Sequence, residues 1–327
     1  MTNKNRVGLG TFPLVGVFNK ISPKDAENVI RHFLDNGGYY IDTAPMYGNG
    51  EMEKILGKVL KDYPRDSYYL ISKTVYNIDD SGQLFKSGKY EDVVKHIDRS
   101  LSRLDVEYLD QLMVHSPDKN VNVDESLKAL EKIQSDGKAI DLSVSNVDLD
   151  ELKKFNQTGK IKYVENRFSY ISRSIDIQFE EYLISNNIKL IPYHLLEIGL
   201  LTGNALDKDF SLRKDDLRNK LPYWDKVNQQ EVFDFVRDEL APISKQLGCT
   251  IGQLNMAWAI KQKFIDFIIV GTTKEKYVDI NLKSATINLD AVTLELMESK
   301  YQNFKNYIED KYKKSLREFR GLNEKYY

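Results

Sequence analysis

Four residues of this 327-residue chain, Asp42, Tyr47, Lys73 and His115, have the types and positions to share in one proton transfer. Each lies at or just beyond the end of a short apolar run, in GGYYIDTAPMYGNG, YYLISK and YLDQLMVH. A tyrosine phenol is a poor acid at neutral pH, with an unperturbed pKa of about 10. A neighbouring lysine ammonium favours the phenolate, and a histidine can share or relay the proton. An aspartate then holds the lysine charged and oriented. Taken singly, each residue has a plainer role: a capping aspartate, a packing ring among 20 tyrosines, a solvated lysine, a structural histidine. Their recurrence at successive strand ends favours a common site.

Those strand ends belong to a regular alternation. Strand-like runs fall at 6–12, 39–42, 68–73, 109–115, 139–145, 161–166, 188–194 and 264–271. Their continuous apolar character suits strands covered on both faces. Amphipathic stretches at 24–35, 50–61, 90–103, 123–136, 148–157, 177–186 and 274–284 separate them. SPKDAENVIRHFLDNGG shows the pattern, with a serine cap, a helical apolar period and terminating glycines. Eight β-then-α repeats predict an α/β fold of the (β/α)8 TIM-barrel type, as one domain over 1–327 with 301–327 as a C-terminal tail. A doubly wound sheet is the alternative, but GLGTF after the first run leads into a proline and not into a GxGxxG helix start. Barrel enzymes draw their active residues from C-terminal strand ends, where Asp42, Lys73 and His115 fall. The rhythm lengthens after the seventh strand, with a long segment at 195–230 and two helices expected in 231–262. The basic, tyrosine-rich run near the C-terminus reads as a further helix with a solvated face.

Composition narrows the function classes. A net charge of −2 gives no reason to expect nucleic-acid binding. No apolar run approaches the roughly 20 residues that span a bilayer. The start, MTNKNRVGLGTF, lacks a signal-peptide layout, and Cys249 is the only cysteine, so no intrachain disulfide or cysteine-rich metal site is expected. A cytoplasmic protein without a membrane partner is the expectation; oligomeric state has no sequence signal.

The residues resemble the aldo-keto reductase superfamily along nearly the whole chain. DTAPMYGNGEMEKILGKVL is similar to that family's DTA-x-x-Y…E-x-x-x-G signature, with Asp42, Tyr47, Glu53 and Gly57 in place. ISK supplies the lysine, LMVHSP the histidine, and GKAIDLSVSNV resembles the strand-five block ending in Ser-Asn. The resemblance implies hydride transfer between a nicotinamide cofactor and an aldehyde or ketone, without a metal. NADP(H) is the expected cofactor and NAD(H) the alternative. It implies that Tyr47 gives the proton, Lys73 paired with Asp42 lowers its pKa, and His115 orients the carbonyl. Asp42, Ser145, Asn146, Glu165 and Tyr193 would face the nicotinamide. Gly10 and Thr11 follow the first strand; His194, Leu196, Gly199 and Leu201 would cover the pyrophosphate. Gly271, Thr272, Thr273, Lys274, Tyr277 and Asn281 would take the adenosine end.

Four departures accompany the likeness. Glu165 stands where the family has glutamine, and a carboxylate accepts from an amide NH2 but cannot donate to its oxygen. His194 replaces a serine. Tyr277 and Ile280 replace an arginine that clamps a 2′-phosphate and a glutamate near adenine, which leaves lysines without the bidentate fork. An N-terminal hairpin is missing. The leading expectation is a carbonyl reductase acting on a small molecule. A ketoreductase for a sugar or nucleotide-linked sugar is the first alternative, motivated by the polar loop 75–90, Arg167 and the basic tail. A cofactor-binding regulatory subunit resembling potassium-channel β subunits is the second. Tyr76, Phe85, Tyr223 and Trp224 are candidate walls of the substrate pocket, with plain packing the favoured reading of each.

Overall fold

The computed structural model describes residues 4–203 and 211–322. Eight parallel strands form one sheet: β1 (Val7–Gly10), β2 (Tyr40–Asp42), β3 (Tyr69–Thr74), β6 (Leu109–Val114), β7 (Ala139–Ser145), β8 (Ile161–Arg167), β9 (Lys189–Tyr193) and β10 (Ile268–Gly271). β10 lies beside β1, with Val7 opposite Ile268, and the order then runs β1-β2-β3-β6-β7-β8-β9. The sheet closes between Leu190 and Ile265 through a single parallel bridge and a 2.7 Å bond from the Leu190 amide to the Phe264 carbonyl. All eight strand-like runs are thus strands of a nearly closed (β/α)8 barrel. The eighth, expected over 264–271, is regular only from Ile268, because its first half makes that closing bridge.

Helices follow the strands and bury one apolar face each: α1 (Pro23–Asp35), α2 (Glu51–Leu60), α3 (Tyr90–Leu104), α4 (Val123–Ser135), α5 (Leu149–Phe155) and α6 (Ile177–Ser185). Ser22 caps α1 by accepting from the Asp25 amide, and Asp148 with Glu151 forms a capping box on α5. After β9 come α7 (Lys226–Phe235), α8 (Ala241–Gln246) and α9 (Ile251–Ile260), joined in part by a π-turn at Val236–Leu240; α10 (Glu275–Lys283) follows β10.

Three features differ from the sequence expectation. The polar stretch 75–90 is not an open loop: β4 (Tyr76–Ile78) pairs antiparallel with β5 (Leu84–Lys86). Val75 enters that hairpin with φ of 81°, a conformation rare for a β-branched residue, immediately after the strand that carries Lys73. The boundary drawn at Tyr301 falls inside α11 (Ala291–Tyr312), whose Met297, Tyr301, Phe304 and Ile308 are buried. Beyond it, α12 (Leu316–Phe319) leads to Arg320, which is completely buried although it belongs to a run expected to be solvated. The run is basic by composition, but a short helix turns this one guanidinium inward.

At the N-terminal end of the barrel, aromatic side chains fill the interior. Tyr40 stacks on Phe267 at 3.9 Å between centroids, with Tyr69 and Tyr163 alongside. Their hydroxyls reach the rim, where Tyr69 donates to Asp141 at 2.7 Å and Tyr163 to Asp266 at 3.3 Å. No strand precedes Val7 among the described residues, and these rings close that end from within.

Candidate active site

The opposite end of the barrel opens into a cleft of about 520 Å³. Asp42 closes β2, and the chain behind it turns so that Tyr47 reaches the cleft floor. The signature residues downstream explain how that turn is fixed. Glu53 of α2 is fully buried, accepts from Ser72 of β3 at 2.9 Å and pairs with Arg103 of α3 at 2.7 Å. Gly57 lets α2 approach α3, since a Cβ there would stand 2.5 Å from the Arg103 carbonyl oxygen. Together they tie the Tyr47 segment to the strand that carries Lys73.

Lys73, wholly buried, donates to the Asp42 carboxylate, to the Thr43 carbonyl at 3.2 Å and to the Tyr47 hydroxyl at 3.2 Å. Burial pushes the Asp42 carboxyl up, opposed by the Lys73 ammonium and the Tyr47 hydroxyl. The Asp42 backbone is pinned as well, because the Thr11 amide and hydroxyl both donate to its carbonyl, at 3.0 and 2.8 Å. His115 sits 6.0 Å from Tyr47 between ring centroids, edge to face, with Tyr76 packed against it at 5.4 Å. Burial, then the nearby charges of Lys73 and Lys86, hold its pKa well below the usual histidine value. The imidazole is therefore neutral near pH 7, which makes it a hydrogen-bonding group.

The structure sorts the expected cofactor residues into two sets. Gly10, Asp42, Asn146, Glu165, Tyr193, His194, Leu196, Gly199, Gly271, Thr272, Thr273, Lys274 and Tyr277 line the cleft with Tyr47 and His115. Thr11, Ser145, Leu201 and Asn281 do not. Thr11 is held by the Asp42 carbonyl. Ser145 donates its hydroxyl to the Glu165 carbonyl at 2.7 Å and accepts from Asn146 at 3.0 Å. Leu201 is fully buried in the core, and Asn281 stands near the far end of α10. Asn146, held at φ of 59°, donates to the His115 carbonyl at 2.8 Å and accepts from the Tyr193 hydroxyl at 2.7 Å.

After β9 the backbone doubles back through positive φ at His194, Glu197, Ile198 and Gly199. A buried ionic cluster holds this turn. Glu197 accepts from Arg320 at 2.7 Å, Arg167 at 2.9 Å and Ser169 at 2.5 Å, and its carboxyl is held down at about 2: burial alone would raise it, but the two guanidinium charges prevail. Arg320 also donates to Asn228 at 2.7 Å. Burial and the Arg167 charge push His194 down to about 3, and it shares a 3.2 Å hydrogen bond with the Tyr223 hydroxyl. Arg167 thus belongs to this internal cluster.

Of the expected aromatic walls, none lines the cleft: Tyr76 backs His115, Phe85 packs on His96, and Tyr223 and Trp224 are buried beneath the turn. Among the described residues, the phenylalanines and tyrosines lining the cleft are Phe12, Phe18, Tyr47, Tyr193 and Tyr277. Phe12, Phe18, Met46, Ile198 and Arg218 were not singled out by sequence. Arg218 has a legible signal, the Asp216-x-Arg218 spacing; Asp216 grips it by two hydrogen bonds, at 2.9 and 2.7 Å. Among the described residues lining the cleft, the lysine and arginine cations are Lys274 and Arg218.

Comparison with known proteins places this geometry among relatives. The model of the aldo/keto reductase family matches residues 6–302. The aldo-keto reductase YhdN of Bacillus subtilis is 30% identical over 273 residues, spanning 83% of this chain and 82% of its own. The NADH-specific methylglyoxal reductase of Escherichia coli is 28% identical over 308 residues, spanning 90% of this chain and 93% of its own. Among solved structures, a glycerol dehydrogenase from Gluconobacter oxydans superposes with a TM-score of 0.79 at 25% identity, covering 93% of this chain and 91% of that one.

Proposed function

The chain belongs to the aldo/keto reductase family, and we propose that its cleft performs NAD(P)H-dependent reduction of an aldehyde or ketone with Tyr47 as the proton donor. The observation that supports this most is the buried contact of Lys73 with both the Tyr47 hydroxyl and the Asp42 carboxylate at the cleft floor. The remaining residues suit a nicotinamide. Glu165 Oε2 is buried without a hydrogen-bond partner, so an acceptor waits beside the tetrad for an amide N–H. Tyr193 offers a ring, while Lys274 and Arg218 offer positive charge for phosphates.

A bound reduced nicotinamide supplies the hydride. Tyr47 gives its hydroxyl proton to the carbonyl oxygen, and the Lys73 ammonium stabilises the phenolate left behind. Asp42 holds Lys73 in orientation by accepting its hydrogen bond. Neutral His115 fixes the carbonyl by a hydrogen bond and does not compete as an acid. The cofactor is NADP(H) in the first instance, with NAD(H) as the alternative, because the clamping arginine of the resemblance is Tyr277 here. Residues 1–327 act as one barrel in this reading, and a cytoplasmic location goes with it. No described helix is long and apolar enough to cross a membrane.

A panel of small aldehydes, ketones and dicarbonyls assayed with NADPH and with NADH tests the proposal. The relatives' names make methylglyoxal and the carbonyl products of polyols sensible first members. Cofactor oxidation that depends on the carbonyl and disappears in Tyr47→Phe is expected. Turnover that survives unchanged in that variant would remove Tyr47 from the mechanism.

A further inference from the structure

Glu165 is a chemical oddity in its position. It ends deep in the barrel on β8, opposite Ser145 on one side and Ile191 on the other, and only 5% of its surface is exposed. Its backbone carbonyl is taken by the Ser145 hydroxyl and the Asn146 amide, at 2.7 and 3.1 Å, but its Oε2 is buried with no partner. The charged groups acting on it are Lys73 and Asp42, and they oppose one another. Tyr47, His115, Tyr193 and His194 are the other titratable groups of the same cleft near the floor; the two histidines are neutral near pH 7. A buried carboxyl lacking a dedicated cation or amide donor resists ionisation.

We propose that Glu165 is a protonatable group that makes the cleft discriminate between the reduced and oxidised cofactor according to pH. Protonated, its carboxyl has both an O–H donor and a carbonyl acceptor, so it offers an amide the same pair of hydrogen bonds that a glutamine does. The restriction expected of a glutamate, that it accepts but never donates, applies only to its ionised form. Ionised, it places a negative charge beside the nicotinamide site. The reduced ring is neutral and the oxidised ring is cationic, so the two forms of Glu165 favour different redox states of the ligand. Burial raises this carboxyl to about 8, within the range where a modest pH change or a nearby cation shifts it. Oxidised cofactor should therefore bind with release of a proton from Glu165, and reduced cofactor without it. This inference rests on the proposal that the cleft takes a nicotinamide, and it concerns binding only.

The test is direct binding, free of turnover. Kd values for NADPH and NADP+ are measured between pH 6.5 and 9 by quenching of protein fluorescence, in the wild type and in Glu165→Gln. In the wild type the ratio Kd(NADP+)/Kd(NADPH) is expected to fall by about tenfold across that range, as one linked proton allows. In Glu165→Gln it should be flat. Calorimetry of wild-type NADP+ binding at pH 7.5 in two buffers of different ionisation enthalpy gives a second readout that needs no variant, and proton release is expected. A flat wild-type ratio without proton release, or a slope retained in Glu165→Gln, overturns the inference and leaves the reductase reading intact. If neither nicotinamide binds the wild type, both fall together.

Discussion

Lys73 Nζ stands 3.2 Å from the Tyr47 hydroxyl while also donating to Asp42, and its side chain is wholly removed from solvent. In that setting the ammonium cannot be shielded by water, so its effect on the phenol is strong. Replacing Tyr47 by Phe removes the only O–H in this contact and barely alters the shape. The expected result is a loss of about 10²- to 10⁴-fold in kcat, the usual scale for a general acid. Cofactor Kd should stay near the wild-type value, which separates a chemical defect from a folding or binding one.

Two buried groups near Tyr47 give opposite pH dependences of stability. His115 has a folded-state pKa lowered well below its ordinary value, so below about pH 6.5 the unfolded chain binds the extra proton and folding stability falls with acid. Glu165 is raised to about 8, so from its unfolded value near 4.5 up to 8 the folded chain holds the extra proton and stability falls with base. Glu165→Gln should therefore raise Tm more at pH 8.5 than at pH 5, and His115→Gln should lessen the drop in Tm between pH 7 and pH 5. An equal effect of Glu165→Gln at both ends of the range would show that this carboxyl is not displaced.

The Gly57 position tests how the signature helix positions the site. A methyl group there meets the Arg103 carbonyl oxygen at 2.5 Å and the Leu104 backbone at 2.8 Å, and neither is the end of a flexible side chain. Helix propensity alone would favour alanine at this mid-helix position. The contact outweighs it, since overpacking against backbone costs about 1–3 kcal/mol. Gly57→Ala should lower Tm and also reduce kcat, because α2 carries the strut between Glu53, Ser72 and Arg103.

The barrel and the clustering of Asp42, Tyr47, Lys73 and His115 were legible because both depend on local patterns. Apolar runs of strand length, capped helices and a tetrad at strand ends are each written within a few residues. The rest of the cleft was harder to read because it is assembled from distant pieces. Nothing near Glu197 announces that Arg320, 123 residues later, will neutralise it. Ser145 and Thr11 have suitable hydroxyls, yet the fold commits both to backbone carbonyls, which no spacing rule foretells. Tyr223 and Trp224 follow the packing reading over the pocket-wall one: they lie in the insertion after the seventh strand and pack under the turn as its support.

That support yields a prediction for Arg320. Its guanidinium is fully buried and bonded to Glu197, Asn228 and the Tyr223 carbonyl. Arg320→Met keeps the apolar stem and leaves Glu197 buried with one guanidinium in place of two. Breaking a buried ionic cluster by removing one partner costs about 3–5 kcal/mol. Denaturant unfolding should show that loss. Because Glu197 lies in the positive-φ turn that lines the cleft, cofactor Kd should rise as well. A variant that loses stability but binds cofactor as before would confine the cluster to a structural role.

Arg218 is the last group whose role can be isolated. Asp216 fixes it by two hydrogen bonds, at 2.9 and 2.7 Å. It shares the cleft with Lys274, which lies among the residues expected at the adenosine end. Asp216 takes Nε and Nη2, so the guanidinium is held in place and its remaining N–H groups can meet a phosphate at less entropic cost than a mobile lysine. Arg218→Ala should therefore weaken NADPH binding by about tenfold, the scale of one charge-assisted hydrogen bond. The residual binding should also be less sensitive to salt than in the wild type, because one fewer charge pair is screened. Arg218→Lys should recover part of the affinity, as charge returns without the fork. Since Arg218 is remote in role from Tyr47, kcat at saturating cofactor should change little. A fall in kcat with unaltered Kd would instead assign Arg218 to the chemical step.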